Sequence, residues 1–438
     1  MKNFFDSFLD LLKVKHTKLF VSQSLDKENP IIEKKYEILY LSIILTFTTG
    51  CSSNNPSKDS LPRIDIRKNY PEKEIILTDI ADISYVHLNT KKDDYLYSGT
   101  INYVTENTII VNDNSSSSIL FFTKNGIPKS RFSRFGQGPE EYVQRYMLTF
   151  LYDETTDDVF VVSGGHDIIL YSSAGEFKRK LTLPQGTNVY KICSFDEQSL
   201  LVFDAKRVFQ RLRKFRVKER ENFELIPQSA DSSFFLISKM DGKILDYVEM
   251  PNNDIDLSFV PGDSEGNTIP IYTRIVRCSE GFFLCNPETD TVFLYGKDKS
   301  LTPVICKAPL ANDLTPKVIL DNIMDVGRYQ FMLVETLYKK TLMEKTPKQY
   351  YIRDKETGDI FRQKFIVPEY KGKEILFAPR DMYYNGKETH AHVELNLFDL
   401  KLANKEKRLS GKLKDLVEQL NEYEDNNVFM FVSFKQNL

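Results

Sequence analysis

One supersecondary unit recurs along this 438-residue chain, and it limits the possible folds more than any other feature. An apolar run, a tight turn and a second run ending near proline appear as "SILFFTKNGIPKSRFS" (118–133) and "DIILYSSAGEFKRKLTLP" (167–184). The same pattern returns as "FFLISKMDGKILDYVEMP" (234–251), "TVFLYGKDKSLTPVICKAP" (291–309) and "YYIRDKETGDIFRQKFIVP" (350–368). Asn125-Gly126, Ala174-Gly175, Asp241-Gly242 and Thr357-Gly358 fill four of the turns, as hairpins demand where φ becomes positive. The fourth copy has Lys297 to Ser300 instead. Most hairpins follow another strand pair, as in "TINYVTENTIIVND" and "LTFLYDETTDDVFVVS". Four antiparallel strands per unit make a propeller blade, and a closed ring of blades leaves only short edges for strands this apolar. Copies are about 49 to 67 residues apart, so residues 75–405 hold roughly six of them. The expected fold is all-β: a six-bladed β-propeller with four-stranded antiparallel blades. A C-terminal helix in "SGKLKDLVEQLNEY" (410–423) and a closing strand in "NVFMFVSF" (427–434) complete it.

Composition agrees with a large core: 41% of residues are hydrophobic and 28% charged, with 23 Tyr, 31 Phe and no Trp. A net charge of −3 gives no footprint for nucleic acid, so no nucleic-acid partner is expected. The five cysteines fit neither a disulfide framework nor a zinc site and are expected as buried small hydrophobes. No metal and no cofactor is implied.

The N-terminal part carries an export signal. Lys34 and Lys35 precede an apolar stretch from Ile38 to Thr49 that is too short to span a bilayer, and Thr49-Gly50-Cys51 resembles a bacterial lipobox. Cys51 would then be lipidated, attaching the protein to a membrane. The expected layout is a start-site artefact or unstructured extension over 1–33 and a signal peptide over 34–50. A flexible tether over 51–62 and the propeller over 63–438 follow. A buried strand or helix followed by a turn is the competing reading of 34–51.

Taken in order, the lipobox cysteine, the "EIILTDIADISYVHLNT" strand pair, a GxGPxEY element, NHL-like hairpins and a helix before "DNNVFMFVSFK" resemble one family. It is the six-bladed β-propeller lipoproteins of Gram-negative gut anaerobes, and the similarity covers nearly all of 60–438. It implies a binding role at the cell envelope and brings no catalytic residues. The chain departs by carrying Glu140 where the family often has Gly, and by an ill-defined last blade around 375–405.

Motifs that suggest chemistry each have a plainer reading. "GDSEG" (262–266) matches G-x-S-x-G, but the strand-like, proline-containing flanks of Ser264 do not suit a nucleophile elbow. His390 and His392 share a strand face, with an exposed strand or loop as the simpler reading. The basic run "KRVFQRLRKFRVKER" (206–220) is either a solvated face or an anion contact through Arg211, Arg213 and Arg216. Asp59-Ser60-Leu61 and Asp290-Thr291-Val292 match a short O-glycosylation pattern. "SRFGQGPEEY" (133–142) fails as a phosphate loop because Glu141 replaces the third glycine. It is expected to be a blade connector in which Gly136 and Gly138 let the chain turn, Pro139 stiffens it and Tyr142 packs beneath. Glu140 and Glu141 are candidate ligand contacts.

These readings point to a monomeric, envelope-anchored, non-catalytic binding module. It would present loops to a glycan, peptide or partner protein, on the periplasmic face or the outer surface of the outer membrane. The alternatives are a propeller lyase or hydrolase acting at the channel mouth and a structural subunit of an envelope complex.

Overall fold

The computed structural model describes residues 61–90, 94–143, 149–206, 233–251, 275–286, 289–341 and 343–435, with Leu257, Phe259 and Gly262. They form six sheets, each built on four antiparallel strands, arranged as the blades of a propeller and numbered here in chain order. Blade 1 is Gly99–Val104, Thr108–Asp113, Ser118–Thr123 and Pro128–Phe132. Blade 2 is Phe150–Asp153, Asp158–Ser163, Asp167–Tyr171 and Phe177–Thr182. Blade 3 is Val189–Ser194, Ser199–Asp204, Phe234–Ser238 and Ile244–Tyr247. Blade 4 is Ile275–Arg277, Gly281–Leu284, Thr291–Gly296 and Leu301–Ala308. Blade 5 is Val318–Val326, Tyr329–Thr336, Lys348–Asp354 and Ile360–Ile366. Blade 6 joins Met382–Tyr384, Thr389–Leu395 and Val428–Phe434 to Ala81–His87 from the other end of the sequence.

Position within a blade explains the composition of each strand. Second and third strands are covered by neighbouring blades on both faces, so "TIIVND" and most of "SILFFT" are buried throughout. Fourth strands lie at the rim and alternate, as in "FKRKLT", where buried Leu181 sits between exposed Lys180 and Thr182.

The hairpin turns follow the same economy. Gly126, Gly175, Gly242 and Gly358 have φ between 75° and 82°, and in the copy without glycine Lys299 takes φ 65°. Space adds a second demand at Gly126, where a Cβ would stand 2.0 Å from the His87 carbonyl oxygen of blade 6.

Two expectations need correction. "EIILTDIADISYVHLNT" does not pair with itself. Glu72–Ile76 adds in parallel to the outer strand of blade 5, and Ala81–His87 pairs antiparallel with Val428–Phe434. The four-residue helix α1 (Leu77–Ile80) separates them. The last blade also extends past residue 405, because helices α2 (Leu397–Lys405) and α3 (Gly411–Glu418) are inserted between its second and third strands. A ring is closed more firmly when its two chain ends share one sheet. In α3, Leu413 and Val417 are buried while Leu416, and Leu420 just past its end, pack partly against the same core. Its first amides donate to the Glu369 carboxylate, from Lys412 at 3.3 Å and Leu413 at 3.4 Å.

Candidate functional site

The first strands of the blades surround the propeller axis, and their side chains enclose a central cavity of about 170 Å³. Blade 1 contributes Tyr103, blade 3 Lys191 and Cys193, and blade 4 Arg277. The entry to blade 6 contributes Arg380, Asp381, Tyr383 and Tyr384, with His392 from the next strand. Ile101, Val276 and Met382 supply apolar wall between them.

The connector before blade 6 is held rigidly, and that places Arg380. Buried Gln363 clamps the Phe377 backbone at both ends: its amide donates to the carbonyl at 3.2 Å and its oxygen accepts from the N–H at 3.0 Å. The Phe377 ring packs against Phe365 and Phe434 at 5.1 and 5.6 Å. One turn of 3₁₀ helix, Pro379–Asp381, then carries Arg380 and Asp381 to the cavity.

Behind Arg380 lies a charged cluster in blade 5. Asp321 is 0% exposed and stands 3.6 Å from the Arg380 guanidinium. It sits where the first strand of the blade bulges, between Leu320 and Asn322. Among the described residues, no hydrogen bond reaches either Asp321 oxygen or the side-chain amide of buried Asn322. Burial pushes the Asp321 carboxyl up to about 7; Glu335 adds to the rise, while the Arg380 and Lys348 charges oppose it. Asp381 is exposed and lines the cavity. Desolvation raises its carboxyl, again against Arg380 and Lys348.

The balance of charge in the cavity is positive. Lys191, Arg277 and Arg380 face one carboxylate, Asp381, which is itself biased toward its neutral form. Burial also pushes the Cys193 thiol and the Tyr103 phenol up, so neither is a ready anion at neutral pH. The arrangement attracts an anion and offers it aromatic surface.

His390 and His392 are half-buried rather than exposed, which corrects the expectation of an exposed strand or loop. Tyr383 stacks on His390 with ring centroids 5.2 Å apart, and the Ser433 hydroxyl lies 2.9 Å from His390 Nδ1. Burial, with Lys124 nearby, pushes both imidazoles down to about 4. Lys124 in turn lies over the rings of Tyr383 and Phe431, at 5.8 and 5.4 Å. Among the described residues no group of three or more His, Cys, Asp or Glu side chains is arranged to hold a metal ion.

"SRFGQGPEEY" runs between blades 1 and 2 and does not line the cavity. Glu141 accepts from the Gly138 N–H at 2.8 Å, and only the backbone carbonyl of exposed Glu140 is engaged, by the Tyr171 hydroxyl at 2.6 Å. Tyr142 is 0% exposed and donates to the Ser117 carbonyl at 2.6 Å. Neither Gly136 nor Gly138 has positive φ, so left-handed turning is not their reason. A Cβ on Gly136 would fall 1.9 Å from the Glu141 carboxylate, so that glycine leaves room. Pro139 lies exposed at the corner between them.

Cys51, the 34–50 segment, Ser60, Ser264, Arg211, Arg213 and Arg216 lie outside the described residues. Asp290 of the second glycosylation pattern is buried in an ion pair with Lys307 at 2.9 Å. Cys278 and Cys285 are buried, whereas Cys193 faces the cavity, unlike the small core residue expected there. The sequence reading passed over Lys191, Arg277, Arg380, Asp381 and Asp321. Only Asp321 left a local signal, a charge inside the apolar run "VILDNIMDV".

Residues 52–246 match the model of the DUF5128 family, described as a 6-bladed beta-propeller. A Bacteroides fragilis protein designated as exported has a similar structure, with a TM-score of 0.55 at 17% identity. That similarity covers 85% of this chain and 99% of the other. A DUF4221 family member from Bacteroides vulgatus gives a TM-score of 0.43 at 13% identity, covering 81% and 97%. No curated protein matches the chain.

Proposed function

We propose that this protein is a non-catalytic binding module of the cell envelope, tethered through a lipid on Cys51, acting as a monomer and taking its ligand in the central cavity. The observation that carries the reading is the cavity wall: cationic and aromatic side chains from four blades converge on one space at the propeller axis. A structural subunit needs no such polar, open interior. The lipobox-like Thr49-Gly50-Cys51 supports export and anchoring, and the exported designation of the structurally similar Bacteroides fragilis protein supports export alone. Among the described residues no helix is long and apolar enough to cross a membrane.

A panel of envelope glycans, peptides and small acids, titrated against the full-length chain, tests the reading. The tightest ligand is expected to weaken at least about tenfold when Arg277 or Lys191 becomes Gln, the loss of one charge-assisted contact. Binding indifferent to every cavity substitution would place the ligand elsewhere, with the 206–220 run next to be examined through Arg211, Arg213 and Arg216. Turnover of a bound acid would turn the conclusion toward the lyase or hydrolase reading. Metabolic labelling with a fatty-acid probe tests the anchor: label is expected on the native chain and lost in Cys51→Ala.

A further inference from the structure

We propose that the ligand of the central cavity is a six-membered ring bearing a carboxylate. The carboxylate would sit on Arg380, with Arg277 and Lys191 beside it, and the ring against Tyr103 and Tyr384. This inference rests on the cavity being the ligand site and names what that site selects.

Size sets the first limit. A cavity of about 170 Å³ is close to the roughly 150 Å³ engineered void that accepts a benzene ring, so it seats one ring. Charge sets the second. Among the described residues the Arg277 and Lys191 side chains have no ion pair or hydrogen bond, and the Arg380 side chain has only the 3.6 Å approach to Asp321. A guanidinium carries five donors in a planar fork, which a carboxylate satisfies two at a time. A neutral ring would leave Arg277 and Lys191 without an anionic partner, and a bare inorganic anion would leave the tyrosines uncovered.

The blade 5 cluster couples this binding to a proton. Asp321 is faced by Arg380, Asn322, Glu335, Lys348 and Tyr350, and Asp381 by Arg380, Lys348 and Tyr350. A ligand carboxylate that engages Arg380 draws it away from Asp321, and a second negative charge now stands near both acids. Each acid then holds its proton more tightly, so binding takes up a proton and tightens as pH falls from 8 to 6. The rise of the Asp321 carboxyl to about 7 already in the empty cavity sets the lower edge of that window, so most of the gain falls between pH 8 and about 7.

Isothermal titration of the full-length chain with glucuronate, benzoate, glucose, glucuronate methyl ester and inorganic phosphate provides the test, run at pH 6 and pH 8. Glucuronate or benzoate is expected to bind at least about tenfold more tightly than the uncharged sugars. Whichever of the two wins identifies a sugar acid or an aromatic acid. Arg380→Gln is expected to abolish that preference, and Arg277→Gln provides the same reading should the first variant fold poorly. Asp321→Asn is expected to reduce the pH dependence, leaving the part that Asp381 carries. Glucose binding as tightly as glucuronate would overturn the carboxylate assignment while leaving the cavity as the ligand site. Phosphate binding as tightly would overturn the ring. If no probe responds to either arginine substitution, the proposal fails, and the glycan and peptide titrations then decide whether the cavity binds anything.

Discussion

Between blades 1 and 2 the chain crosses as "SRFGQGPEEY", and between blades 5 and 6 as "ILFAPRD"; the two connectors do one topological job with opposite use of their polar groups. In the first, the conspicuous groups answer one another. Glu141 closes on Gly138, and the Tyr142 hydroxyl donates to Ser117 while accepting from the Arg134 N–H. In the second, the backbone is clamped by Gln363 while Arg380 and Asp381 are left facing a cavity. A motif dense in glycine and glutamate therefore makes a corner, and a plain stretch delivers charge to the axis. Polar residues mark a site by what remains unpaired after folding, not by how unusual they look in a row.

Substitutions can break this contrast, beginning with the largest effect. Tyr142→Ala removes a fully buried ring and its hydrogen bonds, and should cost about 3–5 kcal/mol in denaturant unfolding. Binding at the axis should persist wherever the variant remains folded.

Asp321→Asn should act in the other direction and depend on pH. The folded carboxyl is raised from 3.8 to about 7, so the folded chain holds that proton more tightly than the unfolded chain. Native stability therefore falls as pH rises from about 4 through about 7, and the full penalty applies above that window. The variant should exceed the native chain by roughly 2–4 kcal/mol at pH 8, with the gain shrinking to nothing near pH 4. Parallel unfolding curves across that range would show it, and a pH-independent difference would contradict the assignment.

Gly136→Ala should cost about 1–2 kcal/mol, because its Cβ displaces the Glu141 carboxylate from the Gly138 N–H. In a Glu141→Ala background most of that cost should vanish, which a double-mutant cycle would measure. Glu140→Ala should change stability by no more than about 0.5 kcal/mol and leave axial binding intact, since only its backbone carbonyl is engaged.

The blades were legible in the sequence because hairpin geometry is local. Positive φ at Gly126, Gly175, Gly242 and Gly358 shows up as a glycine, and strands covered on both faces show up as unbroken apolar runs. The closing blade was not legible. Ala81–His87 and Val428–Phe434 pair across nearly the whole chain, and nothing in either segment encodes its partner. The site was hidden for the same reason. Tyr103, Lys191, Arg277 and Arg380 are ordinary in their own neighbourhoods and meet only because the first strands of blades 1, 3 and 4 and the turn that enters blade 6 face the axis.

The N-terminal segment has a mechanical consequence. After Arg63–Asp65 joins the outer edge of blade 4 and Glu72–Ile76 that of blade 5, Ala81–His87 completes blade 6. Three ladders are thus connected in series, with three, five and seven residue pairs in turn. A load entering at Leu61 would be borne first by the shortest ladder and last by the longest. Peeling would proceed blade by blade, and the ring would stay shut until two sacrificial grips had yielded.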